Sequence, residues 1–371
     1  DANSLFYRAF YAVSANLATS SGQPTNAVFG FVKMVKKILD TIKPTHIAVC
    51  FDVGKKTHRT EKFAEYKIHR KPMPDPLVAQ VPVIKEVVSA YNFPIFELKG
   101  YEADDVIATV DKRVSKEMDK VVIISSDKDI LQLVGSNIEV YNPYKEDGIV
   151  FTKKIVIEKF GVEPERIVDL ISLMGDSSDN IPGAKGIGEK TALALLSEFK
   201  DSRDVIENAD RIKRESVRKI IKENSQSICI SRELACLHYD VPIDIKLPEL
   251  KIRQADNEKL WELFSRLEFR GMLSELSQER LSSSKKPSLD IKKKALEPEE
   301  FLENLQKQGF SSFHINEERS NENTISVNLA SDAEAVYETE DIDFLKKLFT
   351  GKALMVGHDI KHSMHIFHKY H

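Results

Sequence analysis

Cysteine is scarce in this chain, and its three copies are scattered. Cys50, Cys229 and Cys236 stand in no paired spacing among 371 residues, which argues against a disulfide framework and favours a reducing compartment. Long apolar runs and a signal-like leader are also lacking, so we expect a soluble, cytoplasmic protein with no membrane partner. No internal repeat is evident.

An excess of positive charge is missing as well. The 54 Lys and Arg residues are set against 58 Asp and Glu residues, for a net charge of −4. This is not the balance of a protein that coats nucleic acid along its length. With 42% hydrophobic and 30% charged residues, the chain is long enough to form two or three domains with sizeable cores.

Acidic residues are concentrated in five short clusters in the first half of the chain. Carboxylates held close together disfavour one another's ionisation, and hard ions such as Mg²⁺ or Mn²⁺ neutralise them. A single cluster could instead cap a helix or serve a turn. Five clusters in similar contexts favour two metals and a phosphate. The clusters are Asp1, Asp52, Glu102/Asp104/Asp105, Asp127/Asp129 and Asp176/Asp179.

Two of the clusters follow apolar runs. Residues 46–52 and 121–129 are predicted to contain buried parallel strands, and ligands in open α/β sheets gather at the carboxyl ends of such strands. Residues 95–114 predict a strand, a glycine turn and an amphipathic helix, with Glu102 and Asp105 on the same face of its first turn. These patterns predict an α/β fold with a parallel sheet.

A basic stretch lies between the second and third acidic clusters. Residues 55–76 contain seven Lys or Arg side chains with two interleaved aromatic rings, and positive charge beside metal sites suits a polyanionic substrate. A solvated charged helix is the alternative. On a helix, four side chains would line one side of a passage because they fall at spacings of three and four: Arg59, Lys62, Tyr66 and Arg70.

A glycine-rich element occupies residues 182–196. Glu189 separates Gly188 from Lys190, one residue too many for a P-loop, and a helix rather than a strand precedes it, so we expect no nucleotide cofactor. A hairpin between two helices fits better, in which glycines allow the backbone to approach DNA and the next helix offers its N-terminal amides to phosphate. A simple turn is the alternative. The candidate contacts are Gly183, Lys185, Gly186, Gly188 and Lys190.

Beyond the hairpin, the pattern of residues 200–276 predicts helices of mixed charge. Trp261, Leu263, Phe264, Leu267 and Phe269 are spaced for an apolar helix face, and we expect all five in the core. Residues 277–300 are rich in Ser, Lys and Glu, which is typical of an interdomain linker.

The order of these motifs resembles the 5′-nuclease domain of bacterial DNA polymerase I and its flap-endonuclease relatives. The resemblance runs from residue 1 to about 280. Its motifs are DANSLFYRAF at the start, FD at 51–52, GYEADD at 100–105, SSDKD at 125–129 and GDSSDNIPG at 175–183.

The resemblance implies a parallel-sheet, PIN-like catalytic core over residues 1–170, with a helical arch at about 55–90. A helical DNA-binding subdomain with a helix-hairpin-helix follows over 171–276, and its hairpin often holds K⁺ in the family. Two Mg²⁺ or Mn²⁺ ions are implied, and Lys67 and Arg70 match residues that contact the scissile phosphate, with Arg8 close by. One metal would belong mainly to Asp1, Asp52, Glu102, Asp104 and Asp127, the second to Asp129, Asp176 and Asp179, and Asp105 to either.

Residues 301–371 resemble the opening of the RNase H-like 3′–5′ exonuclease domain that follows in DNA polymerase I. Strands are expected at 311–318, 324–331 and 334–338, and a helix at 353–367. His314, Asn316 and Ser363 stand where active members carry acids, so we expect a partial, degenerate domain without proofreading activity, since Asp359 alone cannot hold two metals.

The family's first strand has no counterpart before Asp1, so we expect a fragment of a longer, bacterial-type and nucleoid-associated protein that also carries a polymerase domain. The implied function is metal-dependent 5′–3′ hydrolysis of DNA by a monomer acting on 5′ flaps and nicked or branched duplexes in replication and repair. A non-catalytic DNA-junction binder is the main alternative. A Mg²⁺ phosphatase acting on small phosphoesters is another, but it leaves the basic stretch and the hairpin unexplained.

Overall fold

A computed structural model describes residues 1–54, 56–144 and 148–283, together with four strands farther along the chain, and describes side chains as far as residue 277. The chain divides into two compact units, Asp1–Leu276 and Ser277–His371. Among the described residues, no helix is both long enough and apolar enough to cross a membrane.

The first unit begins with an α/β part. The strands are β1 Val49–Cys50, β2 Ile95–Phe96, β3 Val121–Ile124, β4 Ile138–Asn142 and β5 Ile149–Phe151. The helices are α1 Ala2–Ala12, α2 Asn26–Ile42, α3 His58–Lys62, α4 Asp75–Val78, α5 Val81–Ala90, α6 Ala103–Val114 and α7 Lys153–Phe160, and short 3₁₀ turns lie at Ser115–Glu117 and Asp129–Leu133.

The strands form two sheets. β1 pairs with β2 in parallel, with Val49 opposite Ile95. β3 pairs with β4 in parallel, with Val121 opposite Ile138, and β5 continues that sheet antiparallel. The parallel pairs place the carboxyl ends of the strands, and the acids that follow them, at one edge.

Helices cover both faces of the sheets. Successive strand residues point to opposite sides, so they pack into two different cores. One core contains α1, α2 and α5, and Val49, Phe51 and Val122 pack into it. The other contains α6, α7 and the helices between residues 167 and 235, and Cys50 and Ile123 pack there. The helices after residue 256 pack into the first core. Burial on both faces explains why the strands are apolar throughout.

The second half of the first unit is helical. A 3₁₀ turn at Pro164–Arg166 leads into it, and further 3₁₀ turns lie at Ala209–Arg211 and Leu247–Leu250. Gly175, at φ +78°, ends the first helix, a backbone conformation that favours glycine. The helices are α8 Ile167–Met174, α9 Glu189–Glu198, α10 Ser202–Glu207, α11 Glu215–Glu223, α12 Ser225–Ala235, α13 Asn257–Arg266 and α14 Arg270–Ser283.

Several sequence predictions are confirmed and two are wrong. The helix at α6 and the pair α8 and α9 around the glycine-rich element form as expected. The basic stretch is not one helix, because α3 ends at Lys62 and Lys67 adopts a left-handed φ of +54°. Trp261 is 37% exposed, so it does not belong to the core.

Beyond the end of α14 at Ser283, the second unit is described through four strands. β6 Phe310–Ile315 pairs antiparallel with β7 Val327–Ala330, which pairs antiparallel with β8 Val336–Thr339, and β9 Leu354–Gly357 lies parallel to β6. The three predicted strands are therefore present. The predicted helix at 353–367 is wrong at its start, where β9 forms. The predicted linker at 277–300 is wrong over residues 277–283, which continue α14. Residues 284–300 and the residues Asn316, Asp359 and Ser363 lie outside the described residues.

Candidate active site

Hydrogen bonds hold four acidic segments at the carboxyl ends of β1 and β3. Asp52 follows β1, and its Oδ1 accepts a hydrogen bond of 2.6 Å from the amide of Ala103 at the start of α6. Asp1 caps α1, and its Oδ2 accepts from the Ser125 hydroxyl, just after β3, at 2.8 Å. The first turns of α1 and α6 therefore lie beside the two strand ends.

Several of the acids beside these strand ends repel one another. Burial, followed by the charge of Asp127, holds the pKa of Asp104 well above its usual range. Burial and the charges of Asp127, Asp179 and Asp176 do the same to the pKa of Asp129. Among the residues that the structure describes, Asp129 Oδ1 is buried without a hydrogen-bond partner. Such a group calls for a positive charge or a proton.

Three cationic side chains lie among these acids. Lys67 Nζ is 2.8 Å from Glu102 Oε2 and 3.5 Å from Asp179 Oδ2, so it bridges two acidic clusters. Arg70 pairs with Asp179. Lys128 Nζ is 2.8 Å from Asp176 Oδ2.

These ion pairs set the protonation of their members. Burial raises the pKa of Glu102, but the charges of Lys67 and Arg59 outweigh burial and hold it below its usual value. Burial likewise opposes ionisation of Asp176, and hydrogen bonds from Lys128 and Ser178 overcome it and lower its pKa. The pKa of Lys67 is raised, because Glu102 and then Tyr66 and Asp179 outweigh burial.

The donor set fits hard divalent cations. The acids offer only carboxylate oxygens, which Mg²⁺ and Mn²⁺ prefer, and the unpartnered Asp129 Oδ1 is an oxygen available to such an ion. Within residues 1–54, 56–144 and 148–277, however, no three His, Cys, Asp or Glu side chains already converge as ligands would. Lys67, Arg70 and Lys128 supply the neutralising charge instead.

Arg59 and Asp105 are corrected by the structure. The guanidinium donates two hydrogen bonds of 2.7 Å to the two oxygens of Asp105, and the side chains are only 2% and 0% exposed. Arg59 also donates to the carbonyls of Leu234 and Cys236 at 2.8 and 2.9 Å. Arg59 therefore does not face a DNA passage, and both ligand oxygens of Asp105 are occupied. The pair joins α3 and α6 to the end of α12.

The rest of the basic stretch divides by exposure. Tyr66 is buried, contrary to the prediction that it lines a passage, and its hydroxyl is 3.3 Å from both Glu102 and Asp179. Lys62 is exposed and pairs with Glu233 at 2.8 Å. Arg8 is exposed on α1, and its guanidinium carbon lies 5.4 Å from the centroid of the Tyr144 ring.

The hairpin between α8 and α9 presents four of its five predicted contacts to solvent. Lys185, Gly186, Gly188 and Lys190 are exposed. Gly183 is buried. A Cβ added there would lie 2.3 Å from the amide nitrogen of Gly175, so only glycine fits at this position. Gly183 is therefore needed for packing, and its prediction as a DNA contact is wrong.

The Gly188 position is open. A Cβ built at Gly188 would meet no described atom within 4 Å, and its carbonyl accepts the first hydrogen bonds of α9. Backbone at this position is accessible to a large ligand.

Sequence reasoning overlooked Lys128 and the serines beside the acids. Lys128 stands between Asp127 and Asp129, and a lysine within an acidic motif is the signal that would have found it. Ser125 binds Asp1, and its hydroxyl also accepts from the amide of Asp127 at 3.1 Å. Ser178 donates its amide and hydroxyl to Asp176.

Two family models match consecutive parts of the chain. The 5′–3′ exonuclease N-terminal resolvase-like domain matches residues 1–161, and the 5′–3′ exonuclease C-terminal SAM fold matches residues 162–258. Together they define a nuclease that hydrolyses phosphodiester bonds, with an α/β catalytic domain followed by a helical domain.

Curated relatives agree. The 5′–3′ exonuclease of Aquifex aeolicus is 40% identical over 75% of this chain and 94% of its own length. DNA polymerase I of Caldicellulosiruptor bescii is 34% identical over 98% of this chain, and that of Bacillus caldotenax is 41% identical over 74%. This chain belongs to the 5′–3′ exonuclease family, of the type found in DNA polymerase I. It spans 43% and 32% of the length of those two polymerases.

Solved structures share the fold. Bacteriophage T5 5′-exonuclease with bound zinc aligns with a TM-score of 0.55 at 22% identity, covering 63% of this chain and 87% of that chain. T5 flap endonuclease, in a pseudo-enzyme-product complex with DNA and metal ions, aligns with a TM-score of 0.55 at 19% identity, covering 76% and 96%. The predicted fold class is thereby confirmed.

Proposed function

We propose that this chain hydrolyses DNA from a 5′ end in a divalent-metal-dependent reaction, with a preference for 5′ flaps and nicked or branched duplexes. The observation that carries the proposal is the meeting of acids from five segments with Lys67 and Arg70 at one sheet edge. The relatives named as flap endonuclease and DNA polymerase I support it.

Two Mg²⁺ or Mn²⁺ ions would activate the attacking water and neutralise charge on the phosphate. Asp1, Asp52, Glu102, Asp104 and Asp127 are proposed around one ion, and Asp129, Asp176 and Asp179 around the other. Asp104 interacts electrostatically with Asp127 and Asp52, and Asp129 interacts with Asp127 as well as with Asp179 and Asp176, so Asp127 stands between the two proposed sites. Asp105 is not proposed as a metal ligand, because Arg59 occupies both of its oxygens.

Lys67 and Arg70 act on the phosphate. Both approach the acids from the segment after α3, and side-chain donors aimed at developing negative charge stabilise a transition state. Their carboxylate partners hold them at the acidic edge without DNA, and a bound phosphate would compete for the same donors. Arg8, exposed on α1, is placed to contact the substrate near this edge.

The hairpin grips the duplex away from the chemistry. Several groups of the hairpin suit phosphate oxygens. They are the exposed backbone at Gly186 and Gly188, the amides that begin α9, and the side chains of Lys185 and Lys190. Contacts of this type fix register without reading sequence. K⁺ is a further proposed ligand of the hairpin, and Lys62 a peripheral DNA contact.

A non-catalytic DNA-junction binder is the second candidate. It is favoured by one observation, namely that cationic side chains already neutralise Glu102, Asp176 and Asp179. A pure binder would keep its surface charge but would have no need for the mutually repelling Asp104, Asp127 and Asp129.

The two functions are separated by one experiment. The chain is incubated with a 5′-labelled flap duplex in Mg²⁺ or in EDTA, and fluorescence anisotropy measures binding of the same duplex. Release of short 5′ products only in Mg²⁺ is expected. Binding without cleavage under any metal condition would favour the junction binder.

The whole protein is proposed to be a DNA polymerase I, acting as a monomer on chromosomal DNA in the cytoplasm during primer removal and repair. The polymerase relatives extend well beyond the part that this chain spans.

A further inference from the structure

Lys128 stands between two of the acids in the chain, and its ammonium contacts a third. It separates Asp127 from Asp129, and its Nζ lies 2.8 Å from Asp176 Oδ2. The ion pair is partly buried, because the Asp176 side chain is only 5% exposed and that of Lys128 is 35% exposed. The other two cationic side chains of the site come from the basic segment, whereas Lys128 belongs to the acidic loop itself.

Hydrogen bonds fix the loop that carries Lys128. The amide of Asp127 donates to the Ser125 hydroxyl at 3.1 Å, and the amide of Asp129 donates to Asp127 Oδ1 at 3.0 Å. The carbonyl of Lys128 accepts from the amide of Leu131 at 3.0 Å. The lysine side chain therefore extends from a fixed point beside the acids.

The two oxygens of Asp176 have different partners. Oδ1 accepts two hydrogen bonds from Ser178, one from its amide at 2.9 Å and one from its hydroxyl at 2.8 Å. Oδ2 faces the ammonium of Lys128. A carboxylate oxygen that already accepts two hydrogen bonds has little capacity left for another ligand. A divalent ion that binds Asp176 would therefore bind through the oxygen that Lys128 contacts.

Asp129, the next residue after Lys128, has an oxygen without a partner. It is 7% exposed, and its Oδ1 has no hydrogen-bond partner among the described residues. Burial, followed by the charges of neighbouring acids that include Asp176, raises its pKa, and the charge of Lys128 opposes that rise. Lys128 therefore interacts with two of the acids proposed around the second ion.

We infer that Lys128 is an internal counter-ion that competes with a divalent cation for Asp176 Oδ2, so that ion binding at the second site requires its ammonium to leave. The inference rests on the proposed function, because the second site is proposed there. An ammonium and a divalent ion repel each other strongly at the distance that one shared oxygen imposes. Lys128 therefore holds Asp176 ionised beside the acidic loop and makes the second site weaker than it would be without the lysine.

The experiment measures ion binding in the absence of DNA, so it does not depend on cleavage. Mn²⁺ is titrated into the chain, and electron paramagnetic resonance reports the free ion. Lys128→Met should tighten the weaker of two ions by about tenfold, because a partly buried ion pair is worth more than an exposed one, and should leave the tighter ion unchanged. Lys128→Arg should keep the original affinities. Where only one ion is measurable in the original chain, a second should become measurable in Lys128→Met.

Two comparisons separate competition for one oxygen from a general change of charge. Lys120 also pairs with an acid at 2.8 Å, namely Glu139, but it precedes β3 at the end opposite the acids. Lys120→Met should therefore leave both affinities unchanged. Asp176→Asn removes the contested charge, so Lys128→Met should change the weaker affinity much less in that background than in the original chain.

Thermal unfolding gives a second readout. In EDTA, Lys128→Met should lower the unfolding midpoint, because Asp176 and Asp129 then repel each other without the nearby positive charge. Saturating Mn²⁺ should reduce or reverse the difference, because the variant binds the second ion more tightly.

Unchanged affinity for the weaker ion in Lys128→Met would overturn the inference. An equal gain from Lys120→Met, or an undiminished gain in the Asp176→Asn background, would also overturn it. These outcomes leave the proposed function standing, because divalent ions would still bind. Failure of the original chain and of Lys128→Met to bind any Mn²⁺ would instead overturn the proposed function and the inference with it.

Discussion

Replacing Asp105 by Asn should unfold the protein more easily without removing a metal ligand. Asp105 accepts two hydrogen bonds of 2.7 Å from Arg59 and one of 2.9 Å from the amide of His238. An asparagine offers one acceptor oxygen in place of two and leaves the buried guanidinium without its counter-charge. Breaking a buried ion pair from one side typically costs about 3–5 kcal/mol, a large part of the stability of an ordinary domain.

The neighbouring residue provides the matched control. Asp104 is half-buried, and its pKa is raised because desolvation and the charge of Asp127 disfavour its ionised form. Asp104→Asn should therefore leave the free energy of unfolding unchanged or increase it, while abolishing metal-dependent cleavage.

The assay is urea unfolding followed by circular dichroism, together with flap cleavage measured per folded molecule. Asp105→Asn should have a lower free energy of unfolding but should retain cleavage at urea concentrations below its unfolding transition. Asp104→Asn should keep its stability and lose cleavage. If Asp105→Asn keeps its stability and loses cleavage, Asp105 is a metal ligand and the structural role assigned to its pair with Arg59 is wrong.

Three other predictions concern rate, binding and pH. Lys67→Ala and Arg70→Ala should each lower the single-turnover cleavage rate by about 10²–10³ with a smaller loss of DNA affinity, and equal losses of affinity with no loss of rate would contradict their catalytic role. Gly188→Val should weaken duplex binding and make its salt dependence shallower. Gly183→Ala should instead lower the unfolding midpoint, because the added Cβ would lie 2.3 Å from the amide nitrogen of Gly175. The reverse pattern would contradict the assignment of Gly188 to DNA binding and of Gly183 to packing. Burial raises the pKa of Asp111 from 3.8 to about 6. The folded state therefore binds the proton more tightly than the unfolded state, and the free energy of unfolding should fall as pH rises through this interval. Asp111→Asn should flatten that part of the stability profile, and an unchanged slope would show that Asp111 does not cause it.

Local patterns predicted the parts of this molecule that depend on local physics. α6 follows from its apolar spacing and its capping acids, and the α8 and α9 hairpin follows from its glycines. Trp261 was misassigned because Leu260, Leu263, Phe264 and Leu267 already form the buried stripe at spacings of three and four. Trp261 lies beside that stripe rather than on it.

The pairing of charges was beyond sequence reasoning. The sequence around Arg59 is equally compatible with a solvated helix and with a buried ion pair. Its partner Asp105 lies 46 residues away along the chain, so no local pattern relates the two. The expected helix ends at Lys62, and the left-handed turn at Lys67 directs the rest of the basic segment toward the acids. The direction of the residues that follow a non-glycine left-handed position is set by tertiary contacts, here the bond from the amide of Lys67 to the carbonyl of Asp179 at 2.9 Å.

The most direct test of the central claim is cleavage of a 5′-labelled flap duplex by Asp127→Asn in saturating Mg²⁺, with DNA affinity measured on the same sample. Asp127 lies after β3 between the two acidic groups, and its charge contributes to the raised pKa of both Asp104 and Asp129. Loss of detectable cleavage with DNA affinity within about twofold of the original chain is predicted, because the hairpin and the basic segment supply most phosphate contacts. Near-normal turnover by Asp127→Asn would contradict the claim that these acids form the catalytic metal site.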